Sequence, residues 1–116
     1  MANEMIETSI DGFLGGKVQL RQPIKGHRSG TDAVLLAASV PLHAPPYDRA
    51  QIGQSCLELG CGVGVTSLCL AARMETHKLD YQITGVDIQA DLIALAETNA
   101  AANHISAQFM VQDISA

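Results

Sequence analysis

The feature that most constrains this chain is a change of texture at Ser55. A short apolar run, Ser55–Leu59, meets the turn Gly60-Cys61-Gly62-Val63-Gly64, and an amphipathic stretch follows from Val65 to about Glu75. The same alternation then repeats. Tyr81–Val86 reads as a second strand closed by Asp87, and Gln89–Asn103 as a helix with Leu92, Ile93, Leu95 and Ala96 on its buried side and Asn103 as its C-cap. Gln108–Val111 reads as a third strand ended by Asp113. Strands and helices alternating through short connections predict an α/β fold built on a parallel sheet over residues 55–116.

Residues 1–54 differ and are expected to form an N-terminal extension. Ile10–Leu14 and Lys17–Gln22 flank Gly15-Gly16, a hairpin-turn dipeptide, and Pro23 ends the second strand. Ser29, Thr31 and Asp32 supply cap and first-turn chemistry for a helix running to about Ser39, which Pro41 stops. Pro41, Pro45, Pro46 and Gly53 mark residues 41–54 as a loop.

A glycine-rich turn between a first parallel strand and its helix is where such sheets bind nucleotides, because bare backbone lets a ligand approach closely. The dinucleotide fingerprint needs its third glycine three positions after the second, and Val65 stands there. The glycines fall instead at 60, 62 and 64. Glu58 immediately precedes the loop, where a carboxylate opposes a pyrophosphate but attracts the ammonium and sulfonium of S-adenosylmethionine (SAM). Asp87, some twenty residues on at the end of the second strand, is placed to accept from both ribose hydroxyls. Asp113, ending the third strand, could accept from an adenine amino group.

On these residues the segment 55–113 resembles the class I SAM-dependent methyltransferases, with Leu57–Gly64, Val86-Asp87 and Gln112-Asp113 as the three cofactor motifs. The resemblance implies a Rossmann-like sheet. It also implies that Gly60 and Gly62, with Cys61 and Gly64 in the same loop, line the methionine part of SAM. By the same resemblance Asp87 binds ribose, Ile88 packs on the adenine ring and Asp113 binds its amino group. Phe13-Leu14-Gly15-Gly16-Lys17, Gln22-Pro23 and Gly30-Thr31-Asp32-Ala33-Val34-Leu35-Leu36-Ala37 are similar to the small-domain enzymes that methylate N6 of adenine 37 in valine transfer RNA. That similarity implies contacts from Arg28, Thr31 and Asp32 to the methionine end of the cofactor. The alternative is that Thr31 and Asp32 only cap their helix.

Composition limits partners more than it names them. The formal charge of −5 argues against tight nucleic-acid binding, but Lys17, Arg21, Lys25 and Arg28 form an acid-free strip that could meet the phosphates of an RNA, with transfer RNA the expectation. The alternative is an ordinary solvated hairpin. Three unpaired cysteines and four scattered histidines predict neither a disulfide framework nor a metal site. The apolar runs are too short to cross a membrane and no secretory signal is evident, so a cytoplasmic protein is expected.

The resembling family carries Asn-Pro-Pro-aromatic after its fourth strand to hold the acceptor nitrogen, and this sequence has no Asn-Pro. No catalytic residue is assigned, and the chain is expected to be a fragment or truncated frame covering the first part of an enzyme, inactive alone. Its Ser55–Leu59 strand is then an apolar edge, expected to be covered by another copy of the chain or by the N-terminal hairpin. Three other readings stay open: a relative acting on protein glutamine or on guanine in ribosomal RNA, a non-catalytic SAM-binding module, and a nicotinamide oxidoreductase, the last disfavoured by Val65 and Glu58.

Overall fold

The computed structural model describes residues 7–26, 30–42 and 54–115. Two sheets form. β1 (Thr8–Phe13) and β2 (Val18–Pro23) make an antiparallel hairpin, in register from Thr8 opposite Pro23 to Phe13 opposite Val18. Leu14, Gly15 and Gly16 all take positive φ in its turn, where Gly16 and Lys17 N–H return to the Phe13 and Leu14 carbonyls. α1 (Thr31–Ser39) follows, and then the second sheet: β3 (Gln54–Leu59), α2 (Val65–Thr76), β4 (Tyr81–Asp87), α3 (Ala90–Ala102) and β5 (Gln108–Val111). The order is β3-β4-β5, all parallel, as the alternating pattern dictates. Each element lies within one or two residues of its expected bounds. Among the described residues, no helix is long and apolar enough to cross a membrane.

The two faces of this sheet have different fates. Cys56 and Ile83, with Glu58, Gly85 and Phe109, point to the face where α2 and α3 pack. Leu68, Met74 and Ala96 of those helices are fully buried there; burying a Leu or Met side chain contributes about 1.5–3 kcal/mol. Gly85 is fixed by space: a Cβ on it would sit 2.8 Å from Phe109 Cδ1 and 2.9 Å from the Cys61 side chain. On the opposite face Leu57 (62 % exposed), Leu59 (58 %) and Met110 (48 %) meet no described layer.

The hairpin lies elsewhere than on the sheet edge. Val18 and Leu20 are fully buried where β2 packs against α2 and α3. Two asparagines of α3 complete the junction. Asn103 Oδ1 accepts from Gln19 N–H (2.9 Å) while its Nδ2 donates to Gln19 O (2.7 Å). Asn99 Oδ1 accepts from Arg21 N–H (2.8 Å) while its Nδ2 donates to Arg21 O (2.9 Å). Residues four apart on a helix rise roughly 6 Å, close to the roughly 6.8 Å between alternate residues of a strand. The two carboxamides therefore stand in for a third strand along β2. The expectation that this hairpin covers Ser55–Leu59 is corrected: β3 pairs with β4 alone among the described residues, because the free edge of β2 is already occupied by α3.

The α1 cap also differs from expectation. Gly30 is the N-cap residue and no side chain caps the helix, so Thr31 and Asp32 are not held in capping bonds. Ser29 lies outside the described residues. At the other end of α1, Arg73 Nη1 donates to Ala37 O (3.1 Å) and Val40 O (2.6 Å), joining α2 to the carbonyls that a helix end leaves free.

Candidate cofactor site

The loop between β3 and α2 alternates strictly. Gly60, Gly62 and Gly64 take φ of 71°, 55° and 92°, whereas Cys61 and Val63 between them turn inward and are buried. A side chain at the three glycine positions would be strained in that conformation. The chain thus needs glycine at every second position to fold back over the strand ends. Three bonds fix it: Cys61 N–H to Val86 O (2.9 Å), Gly62 N–H to Asp87 Oδ2 (2.9 Å), and Asn99 Nδ2 to Val63 O (3.0 Å).

The glycines differ in what they face. A Cβ on Gly60 or Gly62 would meet nothing within 4 Å, so their bare backbone opens on free space. A Cβ on Gly64 would crowd Phe109 and Ala96 at 3.2–3.3 Å. Gly60 and Gly62 leave room for a ligand, and Gly64 lets the helix pack down on the sheet.

That free space is a cleft of about 390 Å³. The loop and Glu58 form its floor. Pro23, Lys25 and Gly26 at the end of the hairpin form one wall, Asp32, Ala33 and Leu36 of α1 another, and Gln89, Asp91 and Leu92 at the start of α3 a third. Among the described residues, three carboxylates line it against one lysine, a balance that favours a cation.

Glu58 is half-buried, and its Oε1 accepts from Ser67 Oγ at 2.6 Å. Burial pushes its carboxyl above the ordinary range, only partly offset by the Ser67 hydroxyl and N–H. The same surroundings push the Cys61 thiol up to about 12, first by burial and then by the charges of Glu58 and Asp87. Cys61 therefore stays a protonated, inert thiol. Asp87 holds Gly62 N–H with one oxygen and Gln89 N–H (2.9 Å) with the other, leaving a lone pair on each for a ligand hydroxyl.

The remaining candidates are spread more widely. Ile88 is 62 % exposed beside Asp87. Asp113 is fully exposed and does not line the cleft; its Oδ1 accepts from Ser115 Oγ (2.6 Å) and N–H (2.9 Å), bonds that hold its carboxyl below the ordinary range. Thr31 is exposed and Asp32 lines the cleft. Arg28 lies outside the described residues. The basic strip is divided between the two ends of the hairpin strand: Lys25 lines the cleft, whereas Lys17 borders a separate apolar groove between the hairpin turn, α1 and α2. Arg21 is exposed between them, with Nη1 donating to Thr8 Oγ1 (3.0 Å).

Sequence reasoning missed Pro23, Leu36, Asp91 and Leu92 as cleft residues, and Asn99 as the clamp on Val63. Only Asn99 left a signal. It interrupts the buried stripe of Ile93, Ala96 and Ala100, where a polar residue must find partners.

Comparison with known proteins agrees with this geometry. Residues 56–116 match the family described as "Methyltransferase domain". The release factor glutamine methyltransferase of Haemophilus influenzae is 34 % identical over 70 residues, covering 57 % of this chain and 22 % of that protein. The chain spans about a fifth of the length of the curated relatives it matches. A SAM-dependent methyltransferase from Agrobacterium tumefaciens shares the fold, with TM-score 0.60 and 18 % identity over 97 % of this chain and 35 % of that one. Coclaurine N-methyltransferase, solved with N-methylheliamine and S-adenosylhomocysteine, superposes with TM-score 0.50 and 28 % identity over 60 % of this chain and 20 % of its own. With the family matched over the whole strand–loop–helix segment that builds the floor of the cleft, the chain belongs to the methyltransferase-domain family.

Proposed function

We propose that the cleft binds SAM and that the chain is the SAM-binding portion of an enzyme that transfers the methyl group to an exocyclic amino nitrogen, adenine N6 in transfer RNA. The observation that carries the cofactor reading is the pairing of bare glycine backbone with fixed acids. Gly60 and Gly62 leave open space at the loop, and Asp87 is already oriented by Gly62 N–H. Glu58, Asp32 and Asp91 supply the negative field that an ammonium and a sulfonium need. In this reading Asp87 holds the ribose, Ile88 packs on adenine, and Asp32 and Glu58 lie toward the methionine end. Asp113, whose Oδ1 is bonded to Ser115, would offer Oδ2 to the adenine amino group.

SAM supplies an electrophilic methyl group. The chain's own residues bind and orient it, so the rate gain they give is that of alignment. The RNA substrate is supported by the resemblance of the hairpin and α1 to the adenine-N6 enzymes, with Lys17, Arg21 and Arg28 as phosphate contacts. A second reading, transfer to a protein glutamine nitrogen, is favoured by the names of the curated relatives. Radiolabelled SAM offered to the full-length enzyme in parallel with unmodified transfer RNA and with a peptide-chain release factor separates the two. Label in adenine N6 is the expected outcome. Label in glutamine moves the proposal to the second reading, and label in neither, with S-adenosylhomocysteine bound, makes the protein a cofactor-binding module.

A further inference from the structure

Asn99 carries more than a structural bond. It is 2 % exposed, lies one turn before the end of α3, and each of its polar atoms is spent on backbone. Its Oδ1 takes Arg21 N–H, and its Nδ2 bridges Arg21 O (2.9 Å) and Val63 O (3.0 Å). One carboxamide therefore touches both parts that bound the cleft. Val63 belongs to the loop that forms the floor, and Arg21 lies two residues before Pro23, where the hairpin wall begins. Asn103, the other half of the strand-like clamp, also makes three bonds, to Gln19 N–H, Gln19 O and Asn99 O (2.7 Å), and none reaches the loop.

We infer that Asn99 is a positioning residue of the cofactor cleft, setting the spacing between the glycine loop and the hairpin wall. It touches neither cofactor nor acceptor. A donor in its place anchors the Val63 carbonyl, next to the Gly62 N–H that bonds Asp87, and so fixes the loop backbone that lines the cleft. The same donor fixes how far Pro23, Lys25 and Gly26 stand from that backbone. The consequence is a coupling: Arg21 and the loop open together, and whatever breaks the Arg21–Asn99–Val63 link weakens cofactor binding. The affinity part of this inference rests on the reading of the cleft as a SAM site; the mechanical part does not.

Native-state hydrogen exchange on the unmodified protein without ligand tests the mechanical part. The N–H groups of Arg21, Gly62 and Gly64 should exchange through one shared opening with one dependence on denaturant. Independent openings of Arg21 and the loop would overturn the inference. The affinity part uses Asn99→Asp, nearly the same shape, which keeps the acceptor for Arg21 but sets a carboxylate oxygen against two carbonyls. We expect it to weaken S-adenosylhomocysteine binding by roughly tenfold or more, the scale of a lost buried hydrogen bond. Asn103→Ala removes as many bonds and should lower the melting temperature while leaving that affinity within about twofold. Equal losses of affinity in both variants, or none in Asn99→Asp, would reduce Asn99 to a packing role. If the unmodified protein fails to bind S-adenosylhomocysteine, the cofactor reading falls, and the exchange experiment alone decides the coupling.

Discussion

An aspartate stands near the carboxyl end of both β4 and β5, but Asp87 is the last residue of its strand whereas Asp113 lies two residues past Val111, and the two are built differently. Asp87 is locked by two backbone N–H groups, one of them from the loop it serves. Asp113 is fully exposed and bonded only to Ser115, two residues away. An acid tied into the loop is ready before any ligand arrives, whereas an acid on a free strand end must be reoriented at the moment of binding. Preorganised groups lose less freedom on binding, so the two should contribute very unequally to affinity.

Substitutions can break or sharpen that contrast. The largest effect is expected from Asp87→Ala, which removes the ribose acceptor and frees Gly62 N–H together. Affinity for S-adenosylhomocysteine by calorimetry should fall by more than roughly a hundredfold, the sum of a charge-assisted bond and a ligand contact. Unchanged affinity would remove Asp87 from the site. Next comes Gly85→Ala, beneath the loop, where the new methyl meets Phe109 and Cys61 at 2.8–2.9 Å. It should cost about 1–3 kcal/mol in chemical denaturation, and a neutral result would show that Phe109 can shift freely.

Glu58→Gln ranks third and acts in two directions. Because burial raises the Glu58 carboxyl, the fold favours its neutral form: that contribution to stability is full below the ordinary carboxylate range and is lost as pH rises through the raised value. The substitution should therefore leave the ligand-free protein as stable as before or more so at neutral pH. Binding a cationic ligand needs the ionised form, so SAM affinity of the unmodified protein should decline on acidification, starting above the ordinary carboxylate range. Glu58→Gln should bind roughly tenfold more weakly at neutral pH and lose that pH dependence. A pH profile identical to the unmodified protein's would place Glu58 away from the ammonium. Asp113→Asn should be the mildest, within about threefold, since an exposed and weakly held acid has little to lose. A loss as large as that of Asp87→Ala would show that β5 closes over the ligand.

Much of this was legible in the chain itself, and the parts that were not share a cause. Residues 55–113 announce their strands and helices because each carries its own periodicity, and the loop glycines announce their positions because glycine takes those φ values without strain. Glu58 and Asp87 were candidates because strand ends in parallel sheets converge on one edge, and the structure brings Glu58 to the cleft and bonds Asp87 to Gly62 N–H of the loop. What sequence could not supply was the packing of the hairpin. The open edge of Ser55–Leu59 invited the guess that β1 and β2 would cover it, but the pairing of β2 with Asn99 and Asn103 is a match of helix rise to strand rise visible only in three dimensions. Lys25 shows the same limit: grouped with Lys17, Arg21 and Arg28 by sequence, it lines the cleft from the bend at 24–26 that follows β2. Nothing in the sequence singled out Gly85, whose crowding by Cys61 and Phe109 exists only in the folded chain.

The measurement that bears most directly on the central claim is calorimetric titration of the protein with SAM, S-adenosylhomocysteine and NAD. Glycines at 60, 62 and 64 with carboxylates around them predict that both sulfur nucleosides bind and that NAD, whose pyrophosphate would meet Glu58, does not. Binding of NAD with no response to either sulfur nucleoside would contradict the assignment of the cleft.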